Sequence, residues 1–310
     1  MNLYSFLGAL ESGLLFGMVA LGTLLTFRIL KFPDITVEGS FPLGAAVAAT
    51  LISHGVNPFA ATACAAAAGA AAGSVTIFMN VRLRILHILA GILVSVALYS
   101  VNLRIMGRPN TPLLGQDTVF TPLALLPISQ DWAVPAALLV VIAVLVLLLN
   151  RFLQSETGLA MRATGANERM AAANGVHTDR MKWLGLALGN ALVALGGALF
   201  AQMQGAADVS MGVGIIVIGF AAVIGGAVLV PQRGMLLVLI SAVAGAVAYK
   251  LIVSLALSLD GFGITPSDLN IVTALLVSLA LVAPEARLFK RNRTAVKDAQ
   301  RQASLKKAQP

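Results

Sequence analysis

Two acids, Asp34 and Glu38, interrupt an oily stretch that reads "FPDITVEGSFPLG" over residues 32–44, where they alternate with the hydroxyls of Thr36 and Ser40. Carboxylates and hydroxyls at that spacing can cap a helix or bind a polar solute or a cation. A second run, "DVSMGVG" at 208–214, repeats the order acid, β-branched residue, hydroxyl, apolar residue, glycine, and so adds Asp208 and Ser210. Other chemistries find no constellation. His54, His87 and His177 lie far apart with no metal-ligand spacing, which leaves no metal site to expect. The single cysteine, Cys64, sits in "ATACAAAAGAAAG", makes no intrachain disulfide and reads as a packing residue. No nucleophile–base arrangement is recognisable, so no catalytic residue is expected. The chain contains no G-x-x-x-x-G-K-[ST] loop to cradle a nucleotide phosphate.

The elements that must position these residues are membrane helices. Of 310 residues, 58% are hydrophobic and 11% charged, against about 25% charged in a soluble domain. Runs such as "VPAALLVVIAVLVLLLNRFL" match the ~20 residues a helix needs to cross a bilayer. Strands of alternating polarity, the signature of an outer-membrane barrel, are absent from the sequence. The expected fold is an all-α polytopic membrane protein with eight or nine transmembrane helices. The candidate spans fall near residues 5–27, 40–54, 58–79, 86–104, 133–152, 182–203, 213–230, 235–257 and 268–285. The first span has no basic region before it and is long enough to be a retained helix rather than a signal peptide.

Orientation follows from the lysines and arginines of the loops. With the N-terminus outside, 18 of the 21 basic residues fall on the cytoplasmic side, so the expected threading is N-out, C-in. Residues 1–286 then form a transmembrane domain and 287–310 a basic cytoplasmic tail. The net charge of +8 gathers at the inner membrane face. There it anchors topology against anionic lipid, and no nucleic-acid partner is expected. A proline-rich loop over 106–132 lies outside, either as a docking surface or as a plain connection.

The cytoplasmic loop of about 151–182 has helical punctuation. Ser155 is a cap before "ETGLAMRATG", Asn167 a cap before "ERMAAA", and Asn174-Gly175 a stop. A short helix held there between two spans can dock a soluble partner, or lie in the interface as an ordinary amphipathic helix.

Three segments in order carry a family resemblance. "ETGLAMRATGANERMAAANGV" resembles the ATPase-coupling loop of bacterial ABC-transporter permeases of the branched-chain amino acid and ribose uptake type, through Gly158, Arg162, Ala163, Gly165, Asn167, Ala171, Ala172, Gly175 and Val176. "PDITVEGSFPLGAAVAA" and "ADVSMGVGIIVIGFAAVIGGAVLVPQRG" resemble the family's early and late segments, and the first is most similar to a tryptophan/tyrosine permease branch. The resemblance spans roughly residues 5–285. It implies the permease subunit of an importer in the bacterial inner membrane, taking a small solute such as an amino acid. An extracytoplasmic substrate-binding protein would deliver the solute, and a separate ATPase subunit holding ATP and Mg would drive the step. A second permease copy would complete a homodimer, and this chain would bind no cofactor. Glu156, Gly158, Arg162, Ala163, Gly165, Asn167 and Gly175 would then form the coupling region, with Gly158 and Gly165 serving tight turns or close approach.

For Asp34 and Glu38 two readings stand beside each other. Pro33 and Pro42 limit regular helix here, and irregular backbone at membrane depth must be packed in protein or line a wet cavity. The acids, with Thr36 and Ser40 and with Asp208 and Ser210 of the similar segment, then belong to a translocation pathway. Alternatively they cap the second span or pair with Arg28 and Lys31. In the expected threading the 34–39 segment lies at the cytoplasmic end of the first span and 208–214 at the external end of the sixth, the arrangement of an inverted repeat. An ion-coupled secondary transporter or channel would also use these acids, but it would not call for a structured cytoplasmic loop. Glycines four apart in "GAAAG" (69–73) and "GLALG" (185–189) mark flat faces for close helix packing.

Overall fold

A computed structural model describes residues 3–125 and 130–257. The ninth candidate span and the basic tail lie outside the described residues. The described chain forms ten α-helices in order. They are α1 (Leu3–Thr23), α2 (Val37–Ser53), α3 (Pro58–Val81), α4 (His87–Met106), α5 (Gln130–Gln154), α6 (Glu156–Ala166), α7 (Glu168–Ala173), α8 (Thr178–Gln204), α9 (Ile215–Leu229) and α10 (Met235–Leu257). Seven helices are long and apolar enough to cross a membrane, and α2 is a shorter apolar helix. Each of the first eight expected spans therefore has its helix.

The apolar residues of α1 recur on all sides, and such a helix must be surrounded by others. From Leu14 to Leu25 every residue of α1 and its extension is buried. The extension, Leu24–Ile29, is a π-helical turn. α8 runs alongside α1, α2 and α3, and glycines set the distance. A Cβ on Gly69 or Gly73 of α3 would meet the α8 backbone at 2.4 Å. Gly44 of α2 and Gly22 of α1 face the α8 carbonyls of Ala194 and Gly189 just as closely. The "GAAAG" and "GLALG" faces are thus the seams on which α1, α2, α3 and α8 meet.

The remaining spans ring this centre. α4 covers α2, α5 covers α1, and α9 and α10 pack on each other and on α1. Lys250 of α10 places its ammonium 3.9 Å from the centroid of the Phe16 ring on α1, a cation–π contact for a charge inside the bundle. Cys64 departs from the sequence reading. It is exposed on the outward face of α3 rather than packed inside. At one end of the bundle two short strands, β1 (Asn110–Pro112) and β2 (Ala206–Asp208), pair antiparallel with Asn110 opposite Asp208. This pairing ties the proline-rich loop to the end of α8. Gln202 adds a second tie, donating to Thr62 Oγ1 and accepting from the Val119 amide.

Pro42 does not break the second span: α2 starts at Val37 and runs through it. Without an N–H, Pro42 cannot bond the Glu38 carbonyl four residues back. The Gly212 backbone packs against that carbonyl, where an added Cβ would come within 2.0 Å. The two similar segments therefore touch. The sequence places them on opposite faces, and each does leave its own end of the bundle. The chain after α1 turns back inward, and residues 209–212 form a 3-10 turn that reaches the start of α2.

Candidate functional site

The turn between α1 and α2 passes through Lys31, whose backbone takes the left-handed region at φ +52°, and delivers Asp34 to the interior. Asp34 is 2% exposed. Its Oδ1 accepts from the Thr36 amide at 3.0 Å, and its Oδ2 from Asn190 Nδ2 at 2.6 Å. Asn190 bonds through both ends of its amide: Nδ2 also reaches the Leu186 carbonyl, and Oδ1 accepts from Ser40 Oγ at 2.7 Å. The Thr36 and Thr76 hydroxyls lie 2.7 Å apart. Thr76 also reaches the Ala72 carbonyl at 3.3 Å. Asp34, Thr36 and Ser40 thus join α2, α3 and α8 through one polar knot in an apolar core.

The structure places Asp34 as the acid that holds the first turn of α2, bonded to Asn190. Glu38 stands elsewhere. It is half-buried in the wall of a cavity of about 360 Å³ between α2, α4 and the 209–213 segment. The Gly214 amide bonds its carboxylate. Asp208 and Ser210 lie at the strand-pair end. The Asp208 carboxylate accepts from the Ser210 amide at 2.7 Å, from the Ser210 hydroxyl, and from Asn110 Nδ2 at 3.3 Å. These donors, Ser210 first, hold its pKa below the ordinary carboxylate value. The site residues divide into an enclosed knot, a cavity wall and a surface clasp.

Sequence reasoning missed Asn190, Thr76 and Asn102. Each is a polar residue within an apolar helix, and that is the signal that could have found them: such side chains hydrogen-bond across helices.

The loop of about 151–182 folds as its punctuation predicts. Ser155 Oγ accepts from the Gly158 amide at 3.3 Å, and Asn167 Oδ1 accepts from the Met170 amide at 3.1 Å. Gly175 takes φ +82° just past α7. Gly158, Met161, Thr164 and Gly165 form the buried stripe of α6. Gly158 and Gly165 are helical, so they serve close approach. A Cβ on Gly158 would meet the Phe152 carbonyl at 2.1 Å, and one on Gly165 the Ile29 carbonyl at 1.8 Å. α6 therefore rests on the end of α5 and on the π-helical end of α1. Glu156, Leu159, Arg162 and Ala163 of α6 are exposed, as are Asn167 and Met170 beyond it. Glu168 pairs with Lys182, which fixes α7 to the start of α8. No group of three or more potential metal ligands occurs among the described residues.

Residues 5–283 match the family described as branched-chain amino acid transport system, permease component. The chain belongs to this family. It is the permease component of an ABC transporter, a multi-pass membrane protein whose family implies ATPase and substrate-binding partners. A tyrosine transport system permease protein of Clostridioides difficile (strain R20291) is 33% identical over 271 residues, covering 87% of this chain and 88% of that protein. An uncharacterized protein of Rickettsia prowazekii (strain Madrid E) is 40% identical over 219 residues, 70% of this chain and 74% of that one. A solved ABC transporter in an inward-facing conformation, of metal-chelate type by its description, aligns with a TM-score of 0.49 at 19% identity. That alignment covers 92% of this chain and 87% of the other.

Proposed function

We propose that this permease forms the membrane pathway of an amino-acid importer of the bacterial inner membrane, with an aromatic amino acid such as tyrosine as cargo. Two copies of the chain enclose the pathway. A separate ATPase binds ATP and Mg and docks on the exposed face of α6 and α7, and a binding protein delivers cargo at the strand-pair end. This chain performs no chemistry and holds no cofactor. Asp34, Thr36 and Ser40 keep the start of α2 in place behind the pathway, Glu38 faces it, and Asp208 and Ser210 stand near its mouth.

The observation that carries this reading is the seating of α6. Its inner stripe is pressed by two glycines onto the ends of α1 and α5, while Arg162 and Ala163 remain available to a partner. A push on α6 is therefore delivered to the backbone of the central helix. The amino-acid cargo is supported by the name of the Clostridioides difficile relative.

The test is reconstitution of the permease with its ATPase and binding protein in vesicles, followed by tyrosine uptake. Uptake should require ATP and should cease without the ATPase. Uptake that follows a proton or sodium gradient in the absence of ATP overturns the proposal.

A further inference from the structure

The cavity beside Glu38 has a composition that the import reading leaves unused. Its polar wall offers the Glu38 carboxylate, the Asn102 amide and the Ser95 hydroxyl. Its apolar wall offers the Tyr99 ring with Val209 and Val213. Asn102 is wholly buried on α4, and its Nδ2 faces the Gly39 carbonyl at 3.4 Å. Its Oδ1 accepts no hydrogen bond from the protein. Exchanging the two amide atoms would set oxygen against the Gly39 carbonyl, so the free atom is the acceptor. A buried acceptor without a donor is destabilising, and a donor that arrives removes that penalty.

The cavity opens on a face where Val96, Tyr99 and Val213 are 67%, 57% and 78% exposed. Lipid is a poor neighbour for that opening, because a carboxylate and the irregular backbone of 209–214 lie at it. A water-filled passage suits both.

We propose that this cavity is a recognition site for an organic ammonium group, the α-ammonium of the amino acid in transit. A carboxylate, a carbonyl oxygen and an aromatic face are the three partners an ammonium takes: a charge-assisted hydrogen bond, a neutral one and a cation–π contact. The proposal deepens the import reading and rests on it for the identity of the cargo.

The experiment uses the full-length permease in lipid nanodiscs and reads ligand binding by saturation-transfer NMR. The probes are tyrosine, tyramine, which lacks the carboxylate, and 3-(4-hydroxyphenyl)propionate, which lacks the ammonium. Tyrosine and tyramine should bind and the propionate should not. Glu38→Gln keeps an acceptor for the Gly214 amide and should weaken tyramine binding at least about tenfold, the usual worth of a charge-assisted bond. Asn102→Leu should weaken it less, and it provides a second reading if Glu38→Gln does not fold. Absence of tyramine binding, equal binding of the propionate, or unchanged binding in both variants overturns the site. If tyramine binds as expected while the reconstituted complex imports no amino acid, the cargo assignment fails and the ammonium site stands.

Discussion

Asn190 holds more of this protein together than its chemistry alone suggests. It receives Ser40, holds Asp34 and returns to its own helix, while Gly69 and Gly73 of α3 press close around it. Asn190→Leu keeps the size and removes every bond. It leaves the Asp34 carboxyl and the Ser40 hydroxyl buried, with the carboxyl keeping only its bonds from Thr36. The expected loss is about 3–5 kcal/mol, the cost of stranding a buried polar network. Ser40→Ala removes one neutral bond and should cost about 1 kcal/mol. Thermal unfolding of the detergent-purified permease measures both. Similar small shifts for the two variants would show that the knot contributes little.

In the proposed coupling, the 151–182 loop acts through the fit of one helix, α6, and Gly165 decides that fit. A methyl there would lie 1.8 Å from the Ile29 carbonyl, and main chain cannot rotate away as a side chain can. Gly165→Ala should lift α6 from the end of α1 while leaving the spans folded. ATP-driven uptake should fall at least about tenfold, the equivalent of roughly 1.4 kcal/mol in the coupled step, with the thermal transition of the spans nearly unchanged. Full uptake in this variant would mean that force reaches the spans by another route. This loop was legible in the sequence because its signals are local: Ser155, Asn167 and Gly175 each act within four residues and sit where they should. The spans were legible because hydrophobic length is also local. The inward return of residues 30–36, the passage of α2 through Pro42 and the central place of Asn190 were not. Each depends on which helix packs alongside, which no window of sequence contains. Cys64 faces outward for the same reason: its alanine-rich surroundings look alike from every side of α3.

Across the bundle, α8 links two unlike ends. Near its start lie α6, α7 and the end of α1, with Arg28, Lys31, Arg82, Arg162, Arg169 and Arg180 around them. At its finish lie the paired strands, near Arg104 and Arg108. The short segments at 34–39 and 208–214 leave these opposite ends and meet at Glu38 and Gly212. The charge difference between the ends makes orientation testable. The excess of basic residues in cytoplasmic loops predicts α7 inside and the strand pair outside. Ala173, the last residue of α7, and Leu114 beyond β1 are both exposed, so a cysteine at either accepts a label without disturbing packing. Cys64 is itself exposed and is first replaced by alanine. With a membrane-impermeant maleimide on intact spheroplasts, Leu114→Cys should label at once and Ala173→Cys only after the membrane is opened. The reverse pattern would invert the permease, put α6 and α7 out of reach of any ATPase, and remove the basis for ATP-driven coupling through Gly165.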